Sequence, residues 1–314
     1  MLTTMRAART IALCSGALFG CSSLLGVHDF PSDASGDGIR DAIGDGGLPD
    51  VPTACDPSQS FGTAHLIDEL DAASADTFIT DIDALGTTIY FASTRMNELQ
   101  LFSAHRNTPS DPFGLISPLA LSSPTMPWIS VSPDALTGVF ATEMPTGDRN
   151  LFEVSRNPDD SYKIGDALPF NSGGIEDTPR LTRDGKTLYL SSDQGGASTP
   201  HLYVSRTPFT SARLVEGVDL ATANERAPAL TADELVMYFT RGRTTKGTGD
   251  IFMVKRPDRA ANFDNPTKVR DGISTTADEI VGAVSPDGCA LYFTRFDDTA
   301  TPHAHPYVAN KLPP

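Results

Sequence analysis

Five times along the chain a short apolar strand returns at a nearly constant interval, and this repeat constrains the fold more than any other feature. The strands read TTIYFAS about Tyr90, TGVFATE about Val139, KTLYLSS about Tyr189, LVMYFTR about Tyr238 and CALYFTR about Tyr292, at steps of 49, 50, 49 and 54 residues. A second motif follows each at a similar offset: LQLFSAHR, NLFEVSR, HLYVSR, DIFMVKR and HPYVANK, around Phe102, Phe152, Tyr203, Phe252 and Tyr307. A shorter strand and a turn precede each copy, as in PRLTRDG before KTLYLSS, and a weaker segment such as YKIGDALPF or ARLVEGVDL comes after. Four short strands in a unit of roughly fifty residues are the signature of a β-propeller blade. One four-stranded sheet cannot bury both faces alone, whereas copies stacked around an axis bury them on one another.

The fifth copy runs out at Pro314 after its third strand. Near the start of the repeat region, SFGTAHLIDEL (Ser60 to Leu70) is similar to PFGLISPLAL (Pro112 to Leu121), the outer segment of the first unit. The expectation is an all-β propeller over residues 59–314, with five four-stranded blades, in which the N-terminal strand completes the last blade and removes an exposed edge. A six-bladed ring with one degenerate unit is the alternative. Of the four cysteines, Cys55 precedes the closing strand and Cys289 begins the second strand of the blade it would close. A Cys55–Cys289 disulfide is the expectation in an oxidising compartment, with two unpaired thiols as the alternative.

Residues 1–20 read as an export signal: Arg6 and Arg9 precede an apolar run, Ile11 to Phe19, too short to span a bilayer. The run ends in Leu18-Phe19-Gly20-Cys21, which resembles the lipobox of bacterial lipoproteins. That resemblance implies cleavage before Cys21 and lipidation of that cysteine, and Ser22 after it implies sorting to the outer membrane; an ordinary signal peptide releasing a soluble protein is the alternative. Residues 21–58 are rich in Asp, Gly, Ser, Pro and Ala, without apolar periodicity, and read as a disordered tether. Asp33, Asp37, Asp41 and Asp45 match neither common calcium-loop spacing, so calcium or another cation is the lesser reading there and no cofactor is expected. Losing Arg6 and Arg9 with the signal leaves 22 basic residues against 40 acids, a formal charge of −18. Such a surface repels nucleic acid and anionic headgroups, so membrane attachment falls to the lipid on Cys21.

The turns VSPDG (Val284 to Gly288), VSPDA and LTRDG, followed by LYF and then DIF or LYVSR, resemble the WD-type propeller repeats shared by the TolB family and many bacterial envelope proteins. The resemblance covers about Phe61 to the C-terminus, and its full Ser-Pro-Asp-Gly form occurs only in the fifth copy. It implies repeat kinship, not the TolB role. Asp134, Asp184, Asp233 and Asp287 sit where Asx-type turns join the first two strands, with Gly185 and Gly288 free to take positive φ.

An acid precedes the innermost strand in most units, as Asp76, Glu176, Glu225 and Glu279, with Thr125 breaking the series. Placed near the channel mouth, these carboxylates would bind a cation, an amine or a basic peptide loop; the plainer reading is that they pair with adjoining blades or backbone N–H groups. Glu143 and Asp193 add to the acids a glycan-cleaving enzyme would need in the funnel. His303 and His305 lie in a loop without an identifiable third ligand, and no metal site is assigned. Arg106, Arg156, Arg206, Arg256 and Lys311, which end the third strands, read as a repeated surface or inter-blade ion pair. No Gly-x-Ser-x-Gly elbow is present. The functional expectation is an envelope lipoprotein presenting a non-enzymatic propeller to a protein or peptide partner. The competing class is an extracytoplasmic glycan-active hydrolase or lyase acting on a small glycan.

Overall fold

The computed structural model describes residues 55–72, 74–122, 127–194, 199–218, 223–242, 249–270, 272–297 and 301–312. The signal segment, Cys21, the tether up to residue 54 and Thr125 lie outside the described residues.

Strand β1 (His65–Leu66) leads into the first blade, β2 (Thr77–Ile82), β3 (Thr88–Ser93), β4 (Gln100–His105) and β5 (Gly114–Ser122). The second is β6 (Trp128–Val131), β7 (Thr137–Glu143), β8 (Arg149–Arg156) and β9 (Tyr162–Ala167). The third is β10 (Glu176–Leu181), β11 (Thr187–Ser192), β12 (His201–Arg206) and β13 (Ala212–Leu214). The fourth is β14 (Asn224–Leu230), β15 (Val236–Gly242), β16 (Asp250–Lys255) and β17 (Asp264–Lys268). The fifth sheet runs β1-β20-β19-β18, from β18 (Glu279–Val284), β19 (Ala290–Phe296) and β20 (Ala304–Asn310). The chain is a five-bladed β-propeller of antiparallel four-stranded sheets, without helices among the described residues, and its N-terminal strand closes the last blade. The innermost strands β2, β6, β10, β14 and β18 pack on one another in a closed ring.

Each blade is built around a cross-strand pair between its second and third strands: Phe91 opposite Phe102, Phe140 opposite Phe152, Leu190 opposite Tyr203, Phe239 opposite Phe252, and Phe293 opposite Tyr307. Ring centroids lie 5.6 Å apart in the first blade and 5.8 Å in the fifth. Directly opposed aromatic pairs are among the strongest sheet contacts. In three blades a guanidinium covers the pair, Arg95 at 4.7 Å from the Phe91 ring, Arg241 at 4.9 Å from Phe252 and Arg295 at 4.7 Å from Tyr307.

The turns between first and second strands repeat one hydrogen-bond scheme. Asp134, Asp184, Asp233 and Asp287 each accept, on Oδ1, a hydroxyl two residues back and a backbone N–H two residues on. The following residue takes positive φ, at 68° for Gly185 and 73° for Gly288, but also at 54° for Ala135 and 60° for Glu234. The residue ending the third strand of the first blade latches it to the fifth. Arg106 donates to the Gly86 carbonyl and, across the blade boundary, to the Tyr292 hydroxyl at 3.0 Å, while stacking 4.1 Å from the Phe113 centroid. Its cross-blade partner is therefore a phenol rather than an acid. Arg156 pairs with Asp160, and Arg256 with Glu234, inside their own blades.

Closure rests on few ladder contacts. β1 meets β20 only at His65–Val308 and Leu66–Tyr307, extended by a bridge between Phe61 and Lys311. Lys311 Nζ donates to the carbonyls of Pro57 and Gln59 and lies 4.9 Å from the Phe61 centroid. Cys55 and Cys289 are joined in a disulfide with Cα atoms 5.8 Å apart, across a sequence separation of 234 residues.

Candidate functional site

The axis is the natural place for a site in a propeller, and the register of the innermost strands sets which residues line it. Opposite the second-strand residues Tyr90, Val139, Tyr189, Tyr238 and Tyr292 lie Asp81, Ser130, Arg180, Ala229 and Ala283. Two opposite charges thus occupy a position that is otherwise small. Both are buried, and they meet across the axis as a direct ion pair. Arg180 also donates to the carbonyls of Thr80, Gly282 and Pro228. Asp81 accepts from Ser130 Oγ at 2.8 Å and Val131 N at 2.9 Å. One pair therefore ties the third blade to the first, fourth and fifth, and the first to the second. Burial pulls the Arg180 guanidinium down to about 9, which leaves it protonated at neutral pH beside the carboxylate.

Below this hub, at the turn end, Arg183 donates to the carbonyls of Pro286 and Ala84 and spans the channel. A cavity of about 60 Å³ remains between hub and turns. At the opposite end the register sets Phe78, Trp128, Asp177, Arg226 and Ile280 as one ring, one residue from each blade. Asp177 is ion-paired to Arg149 of the second blade. Half-buried Arg226 lies between opposing influences: burial lowers its pKa, while Asp177 and Asp278 hold it up.

The acids picked out by the repeat lie elsewhere. Glu176, Glu225 and Glu279 are fully buried inside their blades rather than facing the mouth. Glu176 accepts from Ser172 N, Ser172 Oγ and Ser192 Oγ. Glu225 accepts from Arg241, and Glu279 from Arg295 and from Thr275 N and Oγ1. These carboxylates hold the guanidiniums that cover the aromatic pairs, or, in the third blade, a serine cradle. Burial raises the Glu279 pKa against the opposing pull of Thr275 and Arg295. Their register partner in the first blade is Thr77, not Asp76, which sits one residue outside the ladder. Asp76 accepts from Ala304 N at 2.9 Å and contacts His303 Nδ1 at 3.3 Å, so it joins the first blade to the fifth. In the second blade the matching residue is Pro127, because that blade alone lacks the bulge in its inner ladder.

His305 lies 2.9 Å from Asp71 and 3.6 Å from Asp297, whereas His303 faces Asp76. Among the described residues no group of three or more His, Cys, Asp or Glu is arranged to hold a metal. Asp193 Oδ1 accepts Ile175 N at 2.7 Å, and Glu143 stands opposite Arg149 in the β7–β8 ladder. Sequence reasoning missed Asp81 and Arg180. The signal was present, nine residues before each second-strand landmark, as opposite charges in a column of Ser and Ala.

No family model matches the chain, and no curated protein matches it. Among solved structures, a thermostable family-43 glycoside hydrolase superposes with TM-score 0.50 at 15% identity over 77% of this chain and 91% of its own. TolB from Acinetobacter baumannii gives TM-score 0.48 at 13% identity over 76% of this chain, which spans 55% of that protein's length. A gluconolactonase from Xanthomonas campestris gives 0.42 at 12% identity, covering 84% and 98% of the two chains. At such identities the likeness concerns the fold alone: the class is the five-bladed β-propeller, which hosts both enzymes and binding modules.

Proposed function

We propose that this chain is a cell-envelope lipoprotein, anchored to the outer membrane through a lipid on Cys21, whose propeller is a non-enzymatic platform for a protein or peptide partner. The observation that carries the reading is the occupation of the axis. The Arg180–Asp81 pair and Arg183 fill the channel from within, so a ligand is offered surfaces rather than an interior. Glycoside hydrolysis needs two carboxylates set apart across one bond, one of them protonated. Among the described residues the registered axial positions carry two carboxylates, Asp81 and Asp177, and each is neutralised by an arginine, Arg180 and Arg149. Glu176, Glu225 and Glu279 are enclosed by their own donors.

Two expected results test the reading. Thermal unfolding of the full-length chain against basic peptides, calcium, peptidoglycan fragments and envelope glycans should respond to peptide and leave every glycan intact. A ligand at a hundred times its Kd adds about 2.7 kcal/mol. Turnover of any glycan by the purified chain would reverse the assignment to a platform. For the anchor, Cys21→Ala should abolish fatty-acid labelling and detergent-phase partitioning; labelling that persists in the variant excludes Cys21 as the lipid site.

A further inference from the structure

Large apolar side chains are exposed at eight described positions, and two of them, Leu85 and Leu115, line one groove. A groove of about 700 Å³ runs between the first and second blades on the turn side, with Tyr90 and Tyr162 among its lining residues. Leu85 on the β2–β3 turn and Leu115 on β5 stand at its edges, 65% and 82% exposed. Leu115 is held there by the backbone: its φ is 48°, Ala120 on the same strand is at 51°, and the β4–β5 register breaks twice. The equivalent residue of the fourth blade, Asn265, has φ 52° at the matching break of its ladder, so the kink belongs to the outer strand of the fold, and the first blade sets an exposed leucine on it.

The groove is also acidic. Asp83 accepts only neutral donors, Thr87 N and Oγ1, as do Asp134, from Ser132 Oγ and Leu136 N, and Asp159, from Ser161 N and Oγ. Those hydrogen bonds hold the Asp134 and Asp159 carboxyls below the usual carboxylate range and leave their charges standing. Asp160 alone faces a cation, Arg156 at 3.1 Å. The corresponding cleft between the third and fourth blades differs. There Glu234 takes the turn's glycine position and lies 3.2 Å from Arg256 and 3.6 Å from Arg259, filling the space with an internal ion cluster.

We propose that the groove between the first two blades is the docking site of the platform, and that it takes a peptide segment of a partner protein in which an apolar anchor side chain is flanked by lysine or arginine. This rests on the platform reading above and adds the surface and the chemistry of its occupant. The apolar lip supplies the anchor's pocket, and the uncompensated aspartates around it supply charge complementarity.

The test is a fluorescence-anisotropy titration of the full-length chain with three short labelled peptides: one alternating Leu or Phe with Lys, one with Glu for Lys, and one with Ser for the apolar residues. Only the first should bind. Leu85→Ser combined with Leu115→Asn, and separately Asp83→Asn combined with Asp159→Asn, should each weaken it by about tenfold or more. Arg226→Ala, at the opposite end of the innermost strands, should leave it unchanged, and unaltered circular dichroism would show the variants folded. Equal binding of the first peptide by wild type and groove variants would overturn the groove while leaving the platform reading intact. Binding of the Ser-substituted peptide as tight as the first, or no binding of the first peptide, would do the same. Glycan turnover in the earlier assay would overturn the platform itself.

Discussion

Asp81→Ala should destabilise the propeller by about 3–5 kcal/mol, the range for removing one partner of a buried ion pair. The substitution strips Arg180 of its carboxylate partner while burial keeps water from replacing it. It also frees Ser130 Oγ and Val131 N, the second blade's share of the hub. Arg180→Met should cost less, since Asp81 would retain Ser130 Oγ, Val131 N and Ile82 N as donors. The double variant Asp81→Ser, Arg180→Ala gives the position the small side chains found in the other three blades, and it should recover part of the Asp81→Ala loss. Urea unfolding midpoints read all three. An Asp81→Ala midpoint equal to that of wild type would mean that the axial pair contributes nothing to holding the ring.

This ordering separates two roles that a buried charge can have. If the pair only compensates its own desolvation, removing both charges is close to neutral, and only the unmatched single variants suffer. The three carbonyls bound by Arg180 belong to three different blades, so its guanidinium also fixes how far those blades stand from the axis. A double variant that recovers stability but loses peptide affinity at the first two blades would expose that geometric role.

The blade count and the strand that closes the ring were legible because propeller blades must be alike to stack. The likeness reaches the level of single residues, as with Phe91, Phe239 and Phe293 in their aromatic pairs. The hub was not legible for the same reason. Asp81 and Arg180 are departures from the repeat, and a single departure reads as tolerated variation until the ring brings the two together across about a hundred residues of chain. The recurring acids show a subtler failure. Counting back thirteen residues from the second-strand tyrosines leads to Thr77, Glu176, Glu225 and Glu279, and Asp76 falls one residue short. In a strand, one residue exchanges faces, and the bulged inner ladders obscure that parity further. The lip of the groove had no sequence signal, because the positive φ of Leu115 is set by the broken β4–β5 register.

Reduction of the Cys55–Cys289 bond, or Cys289→Ser, should cost about 5 kcal/mol in the chain-entropy account, since the disulfide closes a loop of more than two hundred residues in the unfolded chain. Most of that change arises in the denatured ensemble, so the oxidised and reduced proteins should share native circular dichroism while the reduced form unfolds at lower urea with a larger m-value. The native state has its own stake in the bond. With two ladder pairs between β1 and β20, the closing segment is held on the edge of the fifth blade by backbone hydrogen bonds from Gly62, Ile67 and Leu312, by Lys311 and Phe61, and by the disulfide. Hydrogen exchange on the reduced protein should therefore rise first at residues 60–67 and at the β20 amides facing them, ahead of the other four blades. Uniform exchange around the ring after reduction would place the disulfide's effect wholly in the unfolded chain. Exchange confined to the fifth blade would make it the clasp that keeps a five-bladed ring shut at the one point where its two ends meet.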